Sequence, residues 1–315
     1  MGKRVGIIGL GNIGFGMACN LLKAGFEVVA CDVRQERTEA VQKKGATIAA
    51  SAGAVGKQCA VVFSVVLNYP QNLAILEGPD GLLRNMPAGS TIFVCSTIAP
   101  AQARELADKA AKHSIRLLDS PVSGGREGAE AGTLALMIGG SRDALEEHRG
   151  VLEAVSGNIY HLGDVGMGET AKAINQVLVA VHGTVTAEAL LLAARSGIDL
   201  KQMYSIINNS AGGSYMFKWR AMRMIERDFS PHGVLRILLK DTNIVLSLAE
   251  SLGLPMPLTS IARQMFQAGV NQGLGDEDDG AVVKVLEQMA GFSLADVKKM
   301  KATSAAPTEN SSVRT

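Results

Sequence analysis

The sequence predicts an α/β protein: a doubly wound, mostly parallel sheet in its first half, followed by an all-helical second half. Three observations carry that expectation. From residue 4 to about 162, short β-branched runs alternate with amphipathic stretches. The runs are apolar at consecutive positions, as strands covered by helices on both faces are. Beyond Gly168 the strand-like texture stops.

In chain order the candidate strands are Val5 to Ile8, Glu27 to Cys31, Ala60 to Val66, Thr91 to Cys95 and Ile115 to Leu118, with a further run from Leu134 to Ile138. From Glu169 to Arg195 the chain contains no Pro and one Gly, Gly183, and is rich in Ala, Leu and Val, so it reads as one long helix. Further helices are expected near 200–209, 213–227, 231–252 and 257–272. A helix apolar on so many faces needs burial against its own bundle or a partner subunit, which points to a homodimer or homotetramer formed through the helical half. The expected domains are 1–164 and 165–300, with a Ser-, Thr- and Ala-rich tail at 301–315 expected to be disordered.

Composition narrows the function. Among 315 residues, 31 Lys and Arg balance 30 Asp and Glu for a net charge of +1, and aromatics make up only 4%. That balance gives no basic footprint and leaves little for stacking against bases, which disfavours a dedicated nucleic-acid binder. The cysteines, Cys19, Cys31, Cys59 and Cys95, show no C-x-x-C spacing, and the five histidines show no ligand spacing, so no metal site is expected. The first apolar run is broken by Gly6, Gly9, Gly11 and Gly14, unlike an export signal, and no membrane partner is expected. A cytoplasmic protein is the expectation.

Gly9-Leu10-Gly11-Asn12-Ile13-Gly14 follows the first strand and opens a helix. Its glycines suit a tight turn, the close approach of a pyrophosphate, and the packing of helix on sheet, with N–H groups at the positive helix end receiving the phosphates. Asp32 ends the second strand, where its carboxylate can accept from the ribose hydroxyls and would repel a 2′-phosphate. The first domain is therefore expected to be Rossmann-type and to bind NAD, while Arg34, two residues on, leaves NADP possible. Val66, Leu67, Ser96 and Thr97 lie just past the third and fourth strands, where such sheets bind ligands, and are expected to touch ribose and nicotinamide.

Three stretches together resemble the β-hydroxyacid dehydrogenase family: GLGNIGFGMACNLLKAG from Gly9 to Gly25, DSPVSGGREGAEAGTLALMIGG from Asp119 to Gly140, and GMGETAKAIN from Gly166 to Asn175, with Lys240-Asp241 a shorter fourth match. The resemblance implies hydride exchange between a nicotinamide cofactor and a carbon bearing a hydroxyl β to a carboxylate, with Lys172 as the acid/base. Hydride leaves such a carbon only as the hydroxyl proton is lost, so a proton-exchanging group is required. Partial burial and a nearby oxidised nicotinamide would both disfavour the ammonium form of Lys172. Without the family, Lys172 is one lysine near a helix start. The resemblance also makes Ser123-Gly124-Gly125 the carboxylate anchor, a small-residue turn whose N–H groups can converge on an anion. It makes Asn175 a substrate partner and Lys240 a cofactor-side residue. Gln176 stands where several relatives carry a second Asn, a departure that bears on substrate choice.

For the substrate, residues 208–217, NNSAGGSYMF, with Ser214 as a candidate hydroxyl partner, look like the four-carbon sugar-acid branch, as do Leu254 to Leu258 and Gly275 to Asp279. Polar walls suit a polyhydroxy acid, because an unpaired buried polar group costs about 1 to 3 kcal/mol. Threonate ranks first, tartronate semialdehyde second and 3-hydroxyisobutyrate third. A non-catalytic dinucleotide-binding module is the competing reading; Lys172, Asn175 and the Ser123 turn argue against it, since a binder has no use for a proton-transfer group.

Overall fold

The computed structural model of the chain describes residues 4–296, and the expected tail at 301–315 lies outside them. The described residues form two compact units, 4–176 with 244–255, and 177–243 with 256–296. The division falls inside the long helix, ten residues into it, whereas the sequence suggested a change of domain before it.

In the first unit, β1 (Arg4–Ile8), β2 (Glu27–Cys31), β3 (Thr47–Ile48), β4 (Val61–Ser64), β5 (Thr91–Val94) and β6 (Arg116–Asp119) form a parallel sheet in the order β3-β2-β1-β4-β5-β6. The intervening helices are α1 (Asn12–Lys23), α2 (Gln35–Gln42), α3 (Ala52–Gly56), α4 (Tyr69–Glu77) and α5 (Pro100–Ala111). Successive residues of a strand face opposite sides. Thus Val5, Ile7, Phe63, Phe93 and Leu118 enter one core, while Ile8, Val62, Ile92, Val94 and Leu117 enter the other. Strand order reverses beside β1, and at that switch point such sheets open a crevice at their carboxyl ends.

A second sheet follows. It comprises β7 (Val122–Ser123), β8 (Leu134–Ile138) and β9 (Ser156–His161), with α6 (Gly125–Ala131) after β7 and the short helices α7 (Arg142–Glu147) and α8 (Arg149–Glu153) before β9. β8 pairs antiparallel to β7 and parallel to β9. The run from Leu134 to Ile138 is therefore a strand as expected, but it belongs to this smaller sheet. Only Leu134, Leu136 and Ile138 are buried; an apolar residue at every position hid that alternation.

The helical part comprises α9 (Met167–Arg195), α10 (Leu200–Asn208), α11 (Tyr215–Glu226), α12 (Leu235–Ser251), α13 (Pro257–Asn271) and α14 (Val282–Ala290). Of these, α14 was not anticipated. By length and composition α9 could cross a membrane, yet Ala180, Ala187 and Leu190 are fully buried in a core with Phe217, Met224, Leu238, Phe266 and Val282, as in the central helix of a bundle.

Candidate active site

The Gly9 to Gly14 turn has the geometry its spacing requires. Gly9 adopts φ +95°, and its N–H donates to the Cys31 carbonyl at 2.9 Å. A Cβ at Gly9 would lie 2.3 Å from the Val65 carbonyl oxygen, and one at Gly14 would lie 1.9 Å from the Gly9 oxygen. Gly11 is different: a Cβ there would meet only an Arg34 nitrogen at 4.0 Å. Two glycines are thus forced by packing, and the third leaves backbone open at the start of α1, where no side chain caps the helix. Asn12 and Ile13 supply the first-turn N–H groups. That cradle fits a dinucleotide pyrophosphate.

Asp32 stands one residue past β2 with a side chain only 6% exposed. Its carboxylate accepts from the Leu10 N–H at 2.6 Å and the Arg34 N–H at 2.8 Å, and pairs with the Arg34 guanidinium at 3.2 Å. Burial works against its charge, but the hydrogen bonds from Arg34 and Leu10 outweigh it and hold Asp32 below the usual carboxylate range. It is therefore an anionic acceptor already tied to the phosphate turn through Leu10.

Val66 and Leu67 follow β4, and Ser96 and Thr97 follow β5. A buried polar chain joins the two loops. Ser64 Oγ donates to Asn72 Oδ1 at 2.7 Å, Asn72 Nδ2 donates to Ser96 Oγ at 2.8 Å, and Ser96 Oγ donates to the Val66 carbonyl at 2.6 Å. With its hydroxyl so engaged, Ser96 is a brace of the loop more than a free ligand group. Nothing in the sequence singled out Asn72.

The Ser123 turn lies beside α1. Gly124 and Gly125 both take positive φ, +128° and +62°. Asn20 of α1 donates to the Ala129 carbonyl at 2.7 Å, and a Cβ at Gly16 would lie 2.6 Å from the Ala129 carbonyl carbon, so α1 and α6 touch backbone to backbone. The helix that opens at the phosphate turn thereby also seats the segment after Ser123.

Lys172 and Asn175 share a face of α9 near its start. Lys172 is only 8% exposed and Gln176 is buried. Asn175 donates to the Gln176 side-chain carbonyl at 2.9 Å, which fixes the Asn175 amide and leaves its own carbonyl and second N–H to other partners. Two residues without an assigned role anchor this segment. The Asp119 carboxylate at the end of β6 accepts from the N–H groups of Gly166 and Glu169, each at 2.8 Å. Glu169, fully buried, accepts from the Ile98 N–H at 3.2 Å.

Ser214 and Lys240 belong to the second unit. Ser214 caps α11, its hydroxyl oxygen accepting from the Phe217 N–H at 3.0 Å, and Lys240 donates to Asp241 at 2.8 Å. In the acidic run at 275–279, Asp278 and Asp279 are buried against Arg220 and so do not offer free carboxylates to a sugar acid. Among the described residues no group of three or more His, Cys, Asp or Glu could hold a metal.

Sheet order, the glycine turn and an acid just past β2 fit a nicotinamide-dinucleotide oxidoreductase, and comparison with known proteins agrees. Residues 4–163 match the family model for the NAD binding domain of 6-phosphogluconate dehydrogenase, and residues 166–286 match that for the NAD-binding domain of NADP-dependent 3-hydroxyisobutyrate dehydrogenase. L-threonate dehydrogenase of Cupriavidus necator is 38% identical over 90% of this chain and 96% of its own, and that of Escherichia coli is 37% identical over 93% and 97%. A solved 3-hydroxyisobutyrate dehydrogenase from Salmonella typhimurium superposes with a TM-score of 0.85 at 38% identity, covering 90% of this chain and 99% of its own. The chain belongs to the β-hydroxyacid dehydrogenase family and is an NAD(P)-dependent enzyme of that class.

Proposed function

We propose that the enzyme oxidises a small polyhydroxylated β-hydroxy acid, L-threonate being the first candidate, and prefers NAD. The observation that carries this reading is Lys172, a residue only 8% exposed, three positions before Asn175 on one face of the opening turns of α9. The relatives named L-threonate dehydrogenase support the sugar acid. Tartronate semialdehyde and 3-hydroxyisobutyrate are the next substrates to try.

When bound, the oxidised nicotinamide supplies the two-electron acceptor for the carbinol carbon. The chain's own residues do the rest. N–H groups of the turn at Ser123, Gly124 and Gly125 receive the substrate carboxylate, and the Asn175 amide orients the hydroxyl. Lys172, as the neutral amine, takes the hydroxyl proton as the carbon becomes a carbonyl; in the reverse direction its ammonium returns that proton. Asp32 accepts from the adenosine ribose hydroxyls, which favours NAD.

Lys172→Ala tests the reading. With L-threonate, kcat should fall by about 10³-fold, within the range for a lost acid/base, while fluorescence titration shows NADH binding unchanged. Normal turnover of every C3 to C5 hydroxy acid by this variant would overturn the assignment.

A homodimer or homotetramer is part of the proposal. Ile174, Leu178, Val185 and Leu192 lie along one side of α9, between 48% and 71% exposed. Light scattering at micromolar concentration should return at least twice the chain mass of 33.0 kDa. The four free cysteines suit a reducing, cytoplasmic setting.

A further inference from the structure

We propose that Asp119 is a positioning residue for proton transfer: one buried carboxylate ties the acid/base helix to the substrate-carboxylate turn. The idea rests on the dehydrogenase reading above, since it concerns the distance between Lys172 and the Ser123 turn.

The geometry is specific. Gly166, which precedes α9, has no side chain to cap the helix. A carboxylate from 47 residues earlier does so instead, Asp119 Oδ1 accepting from the Gly166 N–H and Oδ2 from the Glu169 N–H, both at 2.8 Å. Asp119 is fully buried, and its slot is shaped to it. A Cβ at Gly139 would lie 2.5 Å from Oδ1, and one at Gly168 would lie 2.9 Å from Oδ2. Backbone crowds the same glycines, with the Met137 carbonyl oxygen 2.3 Å from a Cβ at Gly168 and the Asp164 carbonyl oxygen 2.6 Å from one at Gly139, so neither tolerates a side chain. A negative charge at the first turn also complements the helix dipole.

The connections on either side give this cap its consequence. Three residues past Glu169 comes Lys172; four past Asp119 comes Ser123. The strand holding Asp119 is locked in turn, with Ser120 N–H donating to the Val94 carbonyl at 2.7 Å and Gly139 N–H to the Asp119 carbonyl at 2.9 Å. The same turn of α9 reaches the loop after β5 through Glu169 and the Ile98 N–H. The two loops after β5 and β6, at the carboxyl edge of the sheet, thus meet at one helix terminus. A displacement of about 1 Å in such an arrangement can cost about 100-fold in rate.

Asp119→Asn keeps the size of the side chain but turns an NH₂ toward a backbone N–H. With the hydroxy acid the wild type oxidises fastest, kcat should fall about 100-fold while NADH affinity stays within about twofold, and the solvent deuterium isotope effect on kcat should rise as proton transfer becomes limiting. In a Lys172→Ala background the same substitution should change the residual rate less than about twofold, because its effect runs through the lysine. Unchanged kcat, or an equal fall in both backgrounds, overturns the proposal. Should the variant fail to fold, amide exchange in the NADH-bound wild type decides: the Gly166 and Glu169 amides should be strongly protected, and exchange at solvent-exposed rates overturns it. Full turnover by Lys172→Ala alone would instead overturn the dehydrogenase reading, so the two failures are told apart.

Discussion

The two compact units differ in what they set against a buried acid. At the carboxyl edge of the parallel sheet, buried acids face backbone: Asp119 accepts from Gly166 and Glu169, and Glu169 accepts from Ile98. In the helical unit, buried acids add cations to such donors: Asp278 accepts from the His232, Gly233 and Gly280 N–H groups and also meets arginines. Arg220, 2% exposed, meets Asp279 at 2.5 Å and Asp278 at 3.4 Å, and Arg223 meets Asp278 at 3.2 Å. The reason is the supply of donors. Where strands end and helices begin, N–H groups have no intrahelical partner and can serve a carboxylate; inside a bundle helix the backbone is self-satisfied, so acids packed between helices draw on arginines besides the N–H groups of nearby loops. The first arrangement can hold loops around a ligand. The second holds helices together.

That contrast can be broken first at Arg220. Arg220→Ala strands Asp279 without its ion-pair partner and leaves Asp278 to Arg223 alone, and removing one partner of a buried pair costs about 3 to 5 kcal/mol. Thermal unfolding should show this as a large drop in Tm, and an unchanged Tm would end the comparison. Asp279 already sits high, burial pushing it to about 6 against the pull of Arg220.

A smaller effect, and one that sharpens the picture of the sheet unit, comes from Cys95. Burial pushes its thiol up to about 12 from an ordinary 9.0. The unfolded thiol ionises first, so the contribution of this group to stability is complete below pH 9, declines as pH rises, and is gone near 12. At pH 10.5 the loss amounts to about 2 kcal/mol. The Tm advantage of the wild type over Cys95→Ala should therefore shrink between pH 8 and 10.5, and a constant difference would contradict it.

The mildest effect belongs to Asp32, the proposed ribose acceptor, whose carboxylate already accepts from Leu10 and Arg34. Asp32→Ala should lower kcat/KM for NAD about tenfold relative to NADP, about 1.4 kcal/mol. An unchanged ratio removes Asp32 from the ribose site.

Legibility in the sequence followed the range of the interaction. The phosphate turn, Asp32 and the alternation of strands with helices are written in local spacing, because a tight turn and a helix start each need particular residues within a few positions. Motif context, not chemistry at the residue, pointed to Lys172; its burial emerges only in the fold. The placement of β8 in a separate sheet was hidden, since periodicity reports an apolar face but not which neighbour covers it. Asp119, Glu169, Asn72 and Arg220 were illegible as supports. Glu169 meets a partner 71 residues away and Arg220 one 59 away, separations no local pattern encodes.

By itself, then, the sequence determined the layered architecture, the dinucleotide turn and the family, all of which depend on residues close in the chain and on the burial period of strand and helix. Only the tertiary structure decided which acids are tied to backbone amides and which to arginines as well, and how α9 is held at its start. Those outcomes depend on which donors arrive beside a buried carboxylate once the chain has packed, and an unsatisfied charge there is too costly to leave.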